Sequence, residues 1–169
     1  MYSNLENKTK KNILITGSSG YVASGIFSNL NQKDETYGID LLYSKNTHLQ
    51  ADIQSTRFKS FLTRFHDDEI IIINLAAARF DFGAVAHDYY KLNVDCHNFF
   101  LQHLSKYNVK KFVHISSVAA LDGRSIPYSD KLNCDDAYRS TKYLQEVIVQ
   151  KWCDENKIEL IILYPSAIF

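Results

Sequence analysis

Asn12-Ile13-Leu14-Ile15-Thr16-Gly17-Ser18-Ser19-Gly20-Tyr21-Val22-Ala23 places an apolar β-rich run, a glycine turn and the start of an amphipathic stretch in immediate succession. That order predicts a strand, a tight turn and a helix. Outward from it, short apolar runs alternate with longer amphipathic ones. A helix is expected near 20–31, a strand in TYGID (36–40), a short extended segment in HLQAD (48–52), a helix near 55–66 and a strand in EIIIINLAA (69–77). A helix over Asp88–Asn108, a strand in KFVHISS (111–117), a loop rich in Ser, Asp and Asn, a helix near 136–156 and a strand in IELIILYP (158–165) complete the pattern. This alternation indicates βαβ units. Ile70–Ile73 and Leu160–Leu163 are continuous apolar runs, so both faces of these strands are expected to be covered, as in a parallel sheet flanked by helices. The fold class read from the residues is α/β.

The chain has 169 residues, 46% apolar and 22% charged, with 11 Tyr, 10 Phe and 1 Trp. Its length corresponds to about one domain, and the aromatic content excludes a disordered or linker composition. Nineteen basic residues balance nineteen acidic ones, so net charge offers no reason to expect nucleic acid or an anionic membrane as partner. Cys96, Cys134 and Cys153 have no zinc spacing and read as ordinary thiols of a reducing compartment. The histidines show no metal-ligand spacing either, and no metal is expected. Residues 1–11 (MYSNLENKTKK) are polar and basic and read as a flexible tail before a domain over 12–169. The apolar stretch Ile13–Ile15 breaks at Thr16-Gly17, too soon for a secretory signal. Leu160–Tyr164 is the longest apolar run, against about 18 residues for a membrane span. A cytoplasmic location is expected.

Gly17-x-x-Gly20-x-x-Ala23 puts glycines where the backbone can turn sharply and approach a pyrophosphate, whose charge the N–H groups of the following helix would stabilise. By itself the motif serves as well for a structural strand-to-helix turn. Asp40 adds a second signal: it ends the next strand 23 residues beyond Gly17, where a carboxylate can accept from the adenosine ribose hydroxyls. A carboxylate there repels a 2′-phosphate, so NAD is favoured, with NADP kept open by Lys45 nearby. Asp52, followed by Ile53, suits an adenine pocket, or equally a cap for the helix at 55.

Tyr138 and Lys142 are four residues apart on the helix that opens with Asp135-Asp136, so they share a face. A phenol with an ordinary pKa of about 10 is a poor base at neutral pH, and a nearby ammonium favours its phenolate. The bland reading is a solvent-facing pair, with the core face carried by Leu144, Val147, Ile148 and Trp152. Ser116-Ser117 ends the strand Phe112–Ile115 at the carboxyl edge, where ligands of such sheets bind. A turn cap is the bland reading there. Arg79-Phe80-Asp81-Phe82 suits either a substrate contact or an aromatic-anchored loop.

TGSSGYVA, Asp40, Asp52-Ile53, Asn74-Leu75-Ala76-Ala77, Asn93-Val94, HISSVAAL, YRSTK and LYPSAIF together resemble, in order, the signatures of the extended short-chain dehydrogenase/reductases, and within them the NAD-dependent epimerase/dehydratase family. The resemblance runs from residue 12 to the last residue. It implies a Rossmann-like doubly wound parallel sheet and a catalytic triad of Ser117, Tyr138 and Lys142. It also implies NAD contacts at Gly17, Ser19, Gly20, Tyr21, Val22, Asp40, Asp52, Ile53, Leu75, Ala76, Ala77, Asn93, Tyr138 and Lys142. Tyr138 would exchange the proton, Lys142 would also bind the nicotinamide ribose and Ser117 would orient the substrate oxygen. The implied substrate is a nucleotide-sugar or a related hydroxyl/carbonyl compound, and a homodimer is compatible with the full-length form.

Two departures stand out. Cys96-His97 replace the Gly-Thr of the family's Asn-Val-x-Gly-Thr segment, which weakens a role for Asn93 in fixing the active-site helix. Val118-Ala119 occupy the positions of the Asp-Glu pair that sugar-nucleotide dehydration needs, so epimerase or simple oxidoreductase chemistry is favoured. LYPSAIF resembles the segment after which the family's substrate lobe follows. The chain is therefore expected to be the cofactor-binding N-terminal part of such an enzyme, or alternatively a truncated, catalytically inactive NAD(P)-binding module.

Overall fold

The computed structural model describes residues 11–30, 35–78 and 85–166. The tail at 1–10, Arg79–Phe82 and the end of LYPSAIF lie outside them, and Lys11, read as tail, opens the first strand. The chain forms β1 (Lys11–Thr16), α1 (Tyr21–Asn29), β2 (Glu35–Asp40), β3 (Leu49–Gln50), α2 (Thr56–Leu62) and β4 (Glu69–Asn74). Then come α3 (Ala86–Tyr90), α4 (Cys96–Leu104), β5 (Asn108–Ile115), α5 (Ala119–Gly123), α6 (Cys134–Asn156) and β6 (Glu159–Leu163). The six strands are parallel in the order β3-β2-β1-β4-β5-β6. This doubly wound order reverses direction between β1 and β4, and that crevice is where such sheets bind ligands.

Side chains alternate across β1 and β4 as the pleat requires. Leu14, Ile70 and Ile72 join a large core with Phe58 and Leu62 of α2, Phe100 and Leu104 of α4, and Val149 and Cys153 of α6. Ile13 and Ile15 face the other way, onto Ala23 of α1, with Ile71 and Ile73 packed beside them. The continuous Ile70–Ile73 run thus has apolar neighbours on both sides. The Leu160–Leu163 run does not: β6 is an edge strand with Ile161 36% and Leu163 48% exposed. Among the described residues no further element covers it.

Three local readings change. The helix expected over Asp88–Asn108 starts at Ala86, is interrupted by a π-helical turn at Lys91–Asp95 and stops at Leu104, because Asn108 already belongs to β5. The loop after KFVHISS contains α5. On α6 the buried stripe is Ala137, Thr141, Gln145, Val149 and Cys153 with Lys142 and Glu146, whereas Val147 is exposed. Its first turns pack over a polar crevice with small and polar side chains, whereas farther along Ile148 and Trp152 of the expected apolar set are partly buried against the large core beside Val149 and Cys153. Asn133 caps α6 by accepting from the Asp136 amide, while Asp135 and Asp136 lie in its first turn.

Candidate active site at the carboxyl ends of the strands

Gly17 sits at φ 71° directly after β1, a conformation that costs an L-side chain about 1–2 kcal/mol. A Cβ there would also lie 2.9 Å from the Leu75 carbonyl carbon and 3.0 Å from the Ala76 amide. The turn delivers the chain to α1, whose N-cap Gly20 makes no side-chain capping bond. The first amides of α1 therefore have no intrahelical partner and are open to an anion. Replacing Gly17 by alanine is expected to weaken dinucleotide binding about tenfold or more, since each 1.4 kcal/mol of turn strain is about tenfold in Kd. Calorimetric titration checks this, and unchanged affinity would remove the turn from the site.

A cleft of about 480 Å³ opens beside this turn. Gly17, Ser19 and Gly20 form one wall, Asp40 and the exposed Leu41 and Leu42 another, and Asp52 with Ile53 a third. Leu75, Ala76 and Ala77, after β4, line it too. Nine of the residues expected from the sequence are thus brought together. Tyr21 and Val22 are not among the lining side chains; Tyr21 is 73% exposed, so their contribution would come from the backbone amides of the first helical turn.

The Asp40 carboxylate accepts from the Ser19 amide (2.9 Å), the Ser19 hydroxyl (2.8 Å) and the Leu42 amide (2.9 Å). It ties the glycine turn to the end of β2 and, with about four lone-pair sites on a carboxylate, retains acceptor capacity. Asp52 is not the helix cap: Ser55 caps α2 by accepting from the Phe58 amide, and Asp52 accepts from the Gln54 backbone and side-chain amides. Its place on the cleft wall is what remains. The residues present fit a dinucleotide: open amides beside a glycine turn for the pyrophosphate, a carboxylate at the end of the second strand, and Ile39, Ile53 and Leu75 as apolar walls.

Ser117, Tyr138 and Lys142 do not line this cleft. Ser117 is half-buried and accepts from the Ala119 amide at 3.2 Å, the turn-cap reading, while Ser116 is buried and donates to Glu146. Tyr138 is half-buried with its ring 6.2 Å from that of Tyr89. Lys142 is no solvent-facing residue: it is 1% exposed, with Nζ donating to the Ile115 carbonyl (3.3 Å) and to Gln145 Oε1 (2.5 Å). Burial lowers its pKa to about 8, with Glu146 opposing the shift, so the ammonium persists at neutral pH. Asn93 is fully buried. It accepts from the Ala78 amide (2.7 Å) and donates to the Ala78 carbonyl (3.3 Å) and Thr141 Oγ1 (3.2 Å). Asn93 therefore links the segment after β4 to α6 despite the altered residues beside it.

Sequence reasoning missed His97 and Gln145. His97 is 1% exposed and lines the cleft, and Gln145 bonds both it and Lys142. Burial and the charge of Lys142 push His97 down to about 3, against the opposing Leu92 and Ala76 carbonyls. The signal available was the replacement of Gly-Thr by Cys96-His97. Cys96 also reaches the cleft, but burial and Asp52 raise its thiol to about 11, which keeps it protonated.

A family model described as NAD dependent epimerase/dehydratase family matches residues 13–169. No curated protein matches the sequence. Among solved structures, UDP-glucuronic acid 4-epimerase from Bacillus cereus, in complex with NAD, superposes with a TM-score of 0.73 and 21% identity over 94% of this chain and 57% of its own. A short-chain dehydrogenase/reductase superfamily protein from Agrobacterium tumefaciens with bound NAD gives 0.71 and 22% over 90% and 48%. UDP-N-acetylglucosamine 4-epimerase from Methanobrevibacter ruminantium, in complex with UDP-N-acetylmuramic acid, gives 0.70 and 22% over 92% and 55%. The chain spans about half the length of these structures, and identities this low carry the fold alone.

Proposed function

Since this chain belongs to the NAD dependent epimerase/dehydratase family, we propose that it is the cofactor-binding part of an NAD-dependent epimerase or oxidoreductase acting on a nucleotide-sugar or related hydroxyl/carbonyl substrate. One observation carries the reading: the glycine turn and Asp40 meet in a single cleft where the sheet order reverses. The NAD and UDP-sugars of the superposed structures support the same substrate class. NAD, when bound, supplies a hydride acceptor and donor. The open amides of α1 and the Gly17 turn would hold its pyrophosphate, and Asp40 its adenosine ribose.

Tyr138 accepts the proton of a substrate hydroxyl as the carbon is oxidised, and returns it when the carbonyl is reduced. Lys142, charged at neutral pH, supplies a cation on the same face of α6, and Ser117 would orient the substrate oxygen once it exchanges its Ala119 contact for the ligand. Asn93 holds α6 against the cleft through Thr141. Val118-Ala119 offer no acid or base for elimination, so epimerisation or simple redox chemistry is the reading, not dehydration. NAD should bind at least about tenfold more tightly than NADP, because like charges brought together at Asp40 cost several kcal/mol. Titration with both cofactors tests this, and equal or tighter NADP binding would overturn the Asp40 assignment.

The second reading is a nucleotide-binding module without turnover. None of Ser117, Tyr138 and Lys142 lines the cleft, and the Ser117 hydroxyl is held on the Ala119 amide, which favours it. A coupled assay against UDP-, GDP- and dTDP-sugars, run beside light scattering, separates the two. Turnover by a monodisperse monomer would dismiss the module reading.

A further inference from the structure

Lys142, Gln145 and His97 are all 1% exposed or less, an expensive place for three polar side chains unless their groups are paired. Their pairing is determined by obligate roles. Lys142 can only donate, so the Gln145 atom at 2.5 Å from its Nζ is the amide oxygen. The Ala76 carbonyl can only accept, so the Gln145 atom 3.2 Å from it is the amide nitrogen. That nitrogen also lies 2.7 Å from His97 Nε2 and 3.1 Å from its Nδ1; the shorter contact assigns Nε2 as the acceptor. His97 then carries its proton on Nδ1, where the Leu92 carbonyl lies at 3.3 Å. Flipping the amide would set donor against donor at Lys142 and acceptor against acceptor at Ala76.

We propose that Gln145, oriented by His97 and the Ala76 carbonyl, is a positioning residue that holds the Lys142 ammonium against the Ile115 carbonyl and joins it to the wall of the cofactor cleft. His97 and Ala76 both line that cleft, so a ligand pressing on the wall bears on the lysine through one amide. The two residues before and at this point, Cys96 and His97, are where the chain departs from Gly-Thr, and His97 supplies an acceptor that fixes the amide. Burial lowers the Lys142 ammonium and Glu146 on its own helix opposes that, while the charge of Lys142 in turn acts on His97 of α4 and His114 of β5. His114 is itself held well below its ordinary value, first by burial and then by Lys142 and His97. It meets Asn74 Nδ2 through Nδ1, and its Nε2 has no partner among the described residues. With both imidazoles neutral, Gln145 Oε1 accepts directly from the ammonium at 2.5 Å.

The test uses the whole chain without ligand. In ¹⁵N-histidine spectra of the unaltered protein, His97 should remain neutral with its proton on Nδ1 from pH 5 to 9 (about 3 is its folded pKa); the Nε2–H form would overturn the proposal, and no variant is needed to see it. With labelled lysine, Lys142 should titrate near 8. Gln145→Leu, which removes the acceptor, should lower that value by about 1, and Gln145→Glu, which sets an anion there, should raise it by about 1–3. Shifts of the same sign, or none, would reduce Gln145 to packing. NAD titration of the same variants is the one arm that rests on the proposed function. If Lys142 responds as stated while NAD affinity stays constant, the positioning stands and the assignment of Lys142 to the cofactor fails.

Discussion

Tyr138→Phe is expected to lower turnover of a nucleotide-sugar by about 10²–10⁴-fold, the usual loss when a positioned proton acceptor is removed, in any form of the protein that turns one over. The substitution deletes one hydroxyl. The ring keeps its packing against Tyr89 and the small residues Ala86 and Ala137, so fold and NAD affinity should stay close to those of the unaltered protein. Steady-state rates with and without the hydroxyl, across pH, are the measurement, with cofactor titration as the control for integrity. Wild-type rates in the Phe variant would end the tyrosine mechanism. A parallel loss of NAD binding would show instead that the hydroxyl supports the cofactor site.

Gly38→Ala is expected to cost about 3 kcal/mol of stability, the upper part of the range for forcing extra atoms into a packed interior. Gly38 lies in β2, and a Cβ there would come within 1.9 Å of the Asn46 carbonyl oxygen and 2.7 Å of Ser18 Cβ. Neither neighbour is the free end of a flexible side chain. The loop carrying Asn46 is clamped to Gly38 itself, with the His48 amide donating to the Gly38 carbonyl (2.8 Å) and the Gly38 amide donating to His48 Nδ1 (3.0 Å). Relief would have to move backbone on the side of the cleft formed by Asp40, Leu41 and Leu42, so NAD binding should weaken together with stability. Urea unfolding and cofactor titration of the variant measure both. A midpoint within error of the unaltered protein would mean that the loop yields freely and the close approach carries no structural weight.

The same contact explains a feature of the glycine turn. Ser18 is fully buried beside Gly38 and shares a hydrogen bond with Thr47. A side chain at position 18 is tolerated because residue 38, on the neighbouring strand, has none. The two positions are 20 apart in the chain and meet only because β1 and β2 pair in register.

What the amino-acid order determined by itself is what neighbouring residues decide among themselves. The Ile13–Thr16 strand, the Gly17 turn and the helix behind it depend on local torsion and a period of two or 3.6 residues. The α/β alternation and the carboxylate at the end of β2 were readable for the same reason, and the ordered motifs carried the family. Tertiary structure alone decided that Lys142 is buried, that Val147 is exposed and that β6 lies at an edge. It alone joined Gln145 to Ala76, 69 positions away, and to His97, 48 away. The physical reason is that periodicity and turn chemistry act within a few residues, whereas burial and buried hydrogen bonds depend on strand order and on which helix face lands on the sheet. Tyr138-x-x-x-Lys142 shows both halves at once. Its shared face follows from helix geometry, but whether that face meets water or the crevice follows from where β4, β5 and α4 place their own side chains.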